Sequence, residues 1–459
     1  MPSAQRSAAP RWKKVLLWTV PVLLVLAVGG FFIAKAAVDA YLRSERFRVF
    51  IAQRAGDTLH AETELAPLRF DSASLYTNDF SAQGSAEAAF SKMELAGIRA
   101  ELSGRRFLER VWQVDRVTIQ RVEVQLEGPR VSLPPKPERL TKTPPESSGG
   151  GWLPNRVEIS DASIQDATIA WEEGELRGSA VQFKPGDGGW NIEGTGGHLR
   201  HGSLPPLDVQ RLTMRYREPS LFVQSAEFRQ GAGGSVVVAG EVNFKERLEL
   251  RATIKNITLT PYLAGDWRAR LKGDVSGDVA VRSPLPASGP PEIRGSLAIS
   301  NGHLEALPVL NEIAAFTRTQ QFRKVQLTRA SGDFIHIGDL LDVQNFVAES
   351  AGLIRIEGAF RVEASQIDGT FQVGVVPSSL QWLPGSQTRV FTETRDGYLW
   401  APMRLTGPVG APKEDLSARL VAAAGGAVIE QVETTIKDAA QGVRDAAKGA
   451  LDLLFAPLK

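Results

Sequence analysis

Residues 236–254 read VVVAGEVNFKERLELRATI. Val236, Val238, Val242 and Phe244 fall on even positions, and Leu248, Leu250, Ala252 and Ile254 continue them, while Glu241, Lys245, Glu249, Arg251 and Thr253 fall between. Alternation with period two predicts strands that bury one face and leave the other in water. The same pattern recurs along most of the chain. Val157 and Ile159 are followed by Ala162 and Ile164, then by Ala167, Ile169 and Trp171. Ile354, Ile356, Phe360 and Val362 form another set with Gly358 at the intervening same-face position, and Phe371, Val373 and Val375 follow after a turn expected at Ile367-Asp368-Gly369. Turn signals at Pro185 to Gly189, Gly231 to Gly234 and Asp396-Gly397 are spaced as in an antiparallel meander. The expected fold is mainly β: a long curved antiparallel sheet with a helix at each end.

Upstream, residues 65–132 alternate in the same way, with a change of phase between Val117 and Ile119 and the set Val122, Val124 and Leu126. Such a change marks a bulge or a strand boundary. Residues 133–151, LPPKPERLTKTPPESSGGG, are too rich in Pro, Gly, Ser and charge to pack a core and read as a linker or exposed loop. Two segments switch to helical spacing. Residues 307–316, LPVLNEIAAF, follow a turn-like Asn301-Gly302-His303. From residue 416 to 459 a stripe that includes Val428, Ile429, Val432, Ile436, Val443, Leu451 and Leu454 predicts a long amphipathic helix, shallow because it is rich in alanine.

Residues 15–34, VLLWTVPVLLVLAVGGFFIA, are an uninterrupted apolar run, and about twenty helical residues reach across the ~30 Å of a bilayer's hydrocarbon. Arg6, Arg11, Lys13 and Lys14 precede it without an acidic residue among them, which keeps the N-terminus in the cytoplasm and places the bulk of the chain outside. A cleaved signal peptide is the alternative, since Ala34-Lys35-Ala36 has small-x-small character; the run exceeds the usual apolar length of about 7 to 15 residues, which favours a retained anchor. The expected organisation is a cytoplasmic tail (1–14), a transmembrane anchor (15–38), an N-terminal segment (39–132) that opens with a helical stalk, the linker (133–151), a repetitive β-domain (152–415) and the amphipathic helix (416–459).

Composition and motifs narrow the chemistry. The 53 Lys and Arg balance 52 Asp and Glu to a net charge of +1, so nothing points to nucleic acid. Without cysteine there is no thiol nucleophile, disulfide or thiolate metal site. His198 and His201 are three apart in a glycine-rich stretch that reads as a loop, and none of the five histidines has a recognised metal-ligand spacing. Gly186 to Gly197 lack the GxxxxGK[ST] phosphate loop and read as turns. Glu172 and Glu173 beside Trp171 invite a glycosidase reading, but neighbouring strand residues point to opposite faces. Neither GxSxG nor SxxK occurs. We expect no enzyme, no cofactor and no metal.

Roughly twenty half-apolar strands with few helices to cover them leave one question: what lies on the apolar face. The sheet can close on itself as a sandwich or barrel, or stay open as a groove for apolar ligands. The expected groove residues are Leu248, Leu250, Ala252, Ile254, Ile354, Ile356, Phe360, Phe371 and Val373. Residues 295–375, with Ser300-Asn301-Gly302, Leu307 to Leu310 and Ile354 to Phe360, resemble the C-terminal repeat of AsmA-like proteins; the N-terminal anchor, residues 111–129 and the stretch from Val157 look like that family's N-terminal pattern. The resemblance implies an inner-membrane protein projecting into a Gram-negative periplasm, related to bridge-like lipid carriers and associated with outer-membrane biogenesis, with phospholipid-like membrane lipids as ligands and no catalytic residues. The chain is shorter than the better-known members: some twenty strands in one row extend ~100 Å. Lipid binding or transfer is one expectation; a periplasmic scaffold contacting envelope assembly proteins, with no ligand groove, is the alternative.

Overall fold

A computed structural model of the 459-residue chain describes residues 44–71, 74–103, 111–131, 156–202, 204–263, 267–285, 289–305, 324–381, 385–409 and 412–424. The expected tail, anchor and Pro- and Gly-rich linker, the helix expected at 307–316 and the C-terminal stripe beyond residue 424 lie outside these residues. No helix among the described residues is long and apolar enough to cross a membrane. The protein is mainly β and divides into two compact units, Met1–Glu172 and Glu173–Lys459.

The first unit begins with helix α1 (Glu45–Leu59), where the expected stalk stood. Ser44 caps it, its hydroxyl accepting from the Phe47 N–H at 3.2 Å, and His60 ends it in the left-handed conformation. Gly56 lets the helix lie close on the sheet, since a Cβ there would come within 2.7 Å of the Ala61 carbonyl oxygen. Strands β1 (Ala61–Leu65) and β2 (Arg69–Asp71) pair with β3 (Ser74–Gly84), then β4 (Lys92–Ser103) and β5 (Val111–Gln125) follow, all antiparallel.

The next pairing departs from the expected antiparallel sheet: β6 (Arg156–Ile159) and β7 (Ala162–Trp171) run parallel to β5. Parallel neighbours need a crossover of a dozen residues or more, and the chain between β5 and β6, which includes the Pro- and Gly-rich stretch, has that length. The unit thus takes in strands from both sides of that stretch. The phase change in β5 also belongs to more than one strand. The ladder passes over Asn78, Gly97, Gln120 and Gln165 at one level of β3, β4, β5 and β7, with Gly97 at φ 65°. One residue added to every strand at the same level keeps the register while the apolar sets on either side share a face.

The second unit is an antiparallel meander. Its strands are β8 (Gly174–Gly186), β9 (Gly189–Thr195), β10 (His198–His201), β11 (Leu207–Arg217), β12 (Ser220–Gln230), β13 (Gly234–Asn243), β14 (Arg247–Thr258), β15 (Leu271–Pro284) and β16 (Glu292–Glu305). They continue as β17 (Lys324–Leu327), β18 (Arg329–Ile337), β19 (Leu340–Ser350), β20 (Ile354–Glu363), β21 (Gln366–Val375), β22 (Glu393–Arg395), β23 (Tyr398–Pro408) and β24 (Lys413–Glu414), followed by helix α2 (Leu416–Ala424). Each long strand pairs with the next, from β8 and β9 through β11 to β16, then β18 to β21 and β23.

Asp187-Gly188 and Asp396-Gly397 make two-residue turns with both φ angles positive, as the right-handed twist of the flanking strands requires. Other turn assignments differ from expectation. Ile367-Asp368-Gly369 lies inside β21, and the turn is Ala364-Ser365, with φ 46° and 63°. Phe244 belongs to the turn after β13. Asn301-Gly302 lies within β16 as a bulge, with Asn301 at φ 52°.

That bulge has two counterparts. Asn256 in β14 and Asn345 in β19, both at φ 51°, sit where the register shifts, and all three follow Ile-x or Val-x. Asn tolerates the left-handed region, and each is tied to the neighbouring strand: the Asn256 N–H donates to Ser276 Oγ at 2.9 Å, Asn301 Nδ2 to Asp274 Oδ2 at 3.1 Å and Asn345 Nδ2 to Asp333 Oδ2 at 2.8 Å. Replacing Asn345 by Val puts a β-branched residue in the left-handed region and is expected to lower the stability of the second unit by about 1–2 kcal/mol, whereas Asn345→Gly stays closer to wild type. Urea denaturation of the two variants checks this; equal losses would refute the bulge as the cause.

Candidate functional site

In an antiparallel pair, directly opposed residues share a face, so the register itself defines rows across the second unit. One row runs Val181, Gly194, Leu212, Ala226, Val238, Ala252, Val279, Gly295, Phe334, Val343, Phe360, Gly369, Leu405, one residue from each of thirteen strands. Beside it runs a second, from Phe183 and Ile192 through Leu250, Val281, Ile293, His336, Leu341 and Val362 to Ile367. Neither carries a charged side chain. The opposite face is ionic. Arg251, Arg294, Asp342, Arg361 and Asp368 share one row there, interrupted by Ala280 and Ile335, with Arg361 2.9 Å from Asp342 and Arg404 3.1 Å from Asp368.

All nine expected groove residues lie on the apolar face, but in two different settings. Leu248, Leu250, Ala252 and Ile254 on β14 are half-buried, as are Val236 and Val238 before them and Val279, Val281, Ile293 and Leu297 after them. Phe371 and Val373 are buried, and Ile354, Ile356 and Phe360 pack against the clusters that contain them. One cluster joins Leu341, Val343, Val362, Ile367, Phe371 and Leu405; its rings Phe346, Phe360 and Phe371 stand 6.1 to 6.2 Å apart, two of the three contacts edge-on. In the other, Leu416 and Ala423 of α2 cover Val373 and Ala401. Aromatic rings lie over glycines directly opposite, Phe371 over Gly358 on this face and Trp400 over Gly374 on the other, where a Cβ would meet ring atoms at 2.7 and 2.8 Å. At the other end, Val209, Leu212 and Ala226 are buried with Met214, Val223, Phe228 and Val238 around them. Among the described residues the face is packed around β11 and β12 and again from β18 onward, and is half-buried between β13 and β16, as it is on β8 and β9.

Sequence reasoning missed Val279, Val281 and Ile293, although Val275, Val279 and Val281 alternate with polar residues, and it missed Phe334. The acid and histidine candidates do not converge. His198 and His201 lie on β10, a short strand paired with β8 and β11 where a loop was expected; His198 Nδ1 is 2.7 Å from Asp208 and His201 3.7 Å from Glu173. Glu172 and Glu173 occupy a turn where strand was expected. Among the described residues no three His, Cys, Asp or Glu side chains gather as a metal site. A cavity of about 1260 Å³ beside α1 in the first unit has a mixed lining, with Asp57, Glu62, Glu64, Asp79, Glu87, Arg48 and His60 around its polar part and Val49, Ala52, Leu65 and Val131 among its apolar part. Compared with known proteins, the chain matches no family model, no curated protein and no solved structure.

His336 is the titratable residue of the apolar rows, buried between Ile293 and Leu341. Burial pushes its pKa below the ordinary 6.5, and Asp339 opposes this only in part. The unfolded chain takes up this proton at the ordinary value while the folded chain resists it, so stability is full above about 6.5 and falls as pH drops toward the depressed folded value. The denaturation midpoint is expected to decrease between about pH 7 and pH 5, and His336→Leu to flatten that slope. An unchanged slope in the variant would assign the pH dependence elsewhere.

Proposed function

We propose that this protein binds lipids through the open apolar face of its second unit, held in the periplasm by an inner-membrane anchor at residues 15–34 with the N-terminus in the cytoplasm, and that it serves outer-membrane and envelope biogenesis. The observation that carries the reading is the pair of uncharged rows across thirteen strands, whose middle stretch is only half-buried by the described residues. A continuous apolar surface left half-buried on the uncharged side of a sheet is a candidate binding surface. Acyl chains suit it: they have no polar groups to satisfy, and their burial is favourable by about 25 cal/mol per Å². The resemblance of residues 295–375 to AsmA-like proteins supports the same ligand class and the same compartment. The protein acts by binding or transfer, without catalysis.

The scaffold reading draws on the C-terminal part of the sheet, where Leu341, Val343, Phe371 and Leu405 fill the face with protein. The two readings differ in what they require of β13 to β16, and that stretch is where they are separated. Full-length protein purified from membranes in mild detergent is expected to carry phospholipid detectable by mass spectrometry. Leu250→Glu and Val281→Glu, which place charge on half-buried positions opposite one another, should reduce that load at least tenfold with little loss of stability. Ile356→Glu should instead unfold the unit, because its side chain packs against two clusters. Wild-type protein without lipid, or a Leu250→Glu variant with a full load, would leave the scaffold reading.

A further inference from the structure

Resting on the reading of residues 15–34 as a retained anchor, we infer that the outer face of α1 docks on the membrane surface beside that anchor, through Val49 and Phe50 and the flanking guanidinium groups of Arg46 and Arg54. Arg46, Val49, Phe50, Gln53 and Arg54 stand at i, i+3, i+4, i+7 and i+8 of the helix and so share one face. All five are exposed. Val49 is 41% and Phe50 36% exposed, two large apolar side chains next to each other on a helix whose inner face is already filled.

The helix cannot turn them inward. Phe47, on its inner side, is 1% exposed; Gly56 lies against Ala61, Thr63 Oγ1 donates to the Ala52 carbonyl at 2.6 Å and Arg48 Nη1 donates to the Leu65 carbonyl at 2.6 Å. Chain continuity and charge name the occupant. Nine residues, 35–43, separate the apolar run from the Ser44 cap, so even a fully extended chain keeps the start of α1 within about 35 Å of the end of that run. Apolar side chains at headgroup level with arginines beside them are the means by which a helix lies on a bilayer containing anionic lipid. Residues 46–54 include no acidic residue. Of the carboxylates nearby, Glu45 is paired with Arg48, while Asp57, Glu62, Glu64, Asp79 and Glu87 line the cavity. A docked α1 holds the first unit against the leaflet instead of leaving it on a free tether.

The chain has no cysteine, so Gln53→Cys provides a single labelling site on this face. Full-length protein with a fluorophore there is placed in nanodiscs of phosphatidylcholine and phosphatidylglycerol, and quenching by a phospholipid with a nitroxide headgroup is measured. Strong quenching is expected, reduced about twofold or more by Phe50→Ser, by Arg46→Glu combined with Arg54→Glu, and by omitting phosphatidylglycerol. The arginine variant changes exposed positions alone and stands as the test if Phe50→Ser does not fold. Protein that stays in membranes through alkaline carbonate but shows no quenching, or quenching that none of these changes lowers, would overturn the docking and leave the anchor in place. Protein released by carbonate would overturn anchor and docking together.

Discussion

Cross-strand register is the constraint on which the rest of this structure depends. Side chains alternate with period two, so a slip of one residue between any two strands would carry every apolar side chain downstream to the charged face. The rows through Ala252 and Leu250 cross strand after strand without that happening. Short turns fix the pairing at the strand ends: Gly186 opposes Gly189, Glu363 opposes Gln366 and Arg395 opposes Tyr398. Within the strands the pairing survives because irregularities compensate. A shift entered between Ser331 and Asp333 is met by one between Val343 and Phe346 on the other side of β19, so the strand beyond resumes the same face.

The residues that absorb these shifts are chosen by backbone chemistry. A left-handed residue within a strand is costly for most side chains and cheap for Asn, and the three bulge asparagines occur where bending is introduced. Each is also tied to the next strand through a side chain or its own N–H, so the bulge is held in place. Glycines serve a second purpose, letting an aromatic ring of the neighbouring strand lie flat across the sheet, as Trp400 does over Gly374. On the ionic face, ion pairs such as Arg361 with Asp342 contribute little energy in water, about 1 kcal/mol or less each, but they oppose a slipped register that would set like charges side by side.

The parity of residues 236–254 was legible in the sequence, and with it the face on which all nine expected groove residues lie. What was not legible is whatever depends on partners distant along the chain. Nothing local in residues 111–125 or 162–171 says that β5 and β7 run parallel. Asn301-Gly302 reads as a turn because Asn-Gly is the commonest turn pair, and only its pairing with β15 makes it a bulge. The same limit explains why Leu250 and Ile356 looked equivalent. Both alternate with polar neighbours, but Ile356 packs against the two C-terminal clusters, one of which includes residues of α2, and Leu250 does not. Phe334 escaped notice because β18 offers short mixed alternation in which Ile335 and Ile337 look as apolar as Phe334, although they fall on the ionic face and are 44% and 38% exposed.

A half-buried apolar stretch in the middle of a sheet costs stability in water, and the distribution of burial shows how the fold tolerates it. The clusters at either end are built from large side chains, Phe346, Phe360, Phe371 and Leu341 on one side, Leu212, Met214 and Phe228 on the other. Fully burying such a side chain is worth about 1.5–3 kcal/mol relative to exposure. The strands between them set Leu248, Leu250, Ile254, Ile293 and Leu297 among smaller residues, Val236, Val238, Ala252 and Val279, and glycines at 240, 277 and 295, and contain no aromatic ring on this face. Backbone pairing runs unbroken through this stretch and links the two packed ends. Stability can therefore reside in the ends and the ladder, which leaves the middle free to exchange water for a ligand without the sheet having to refold.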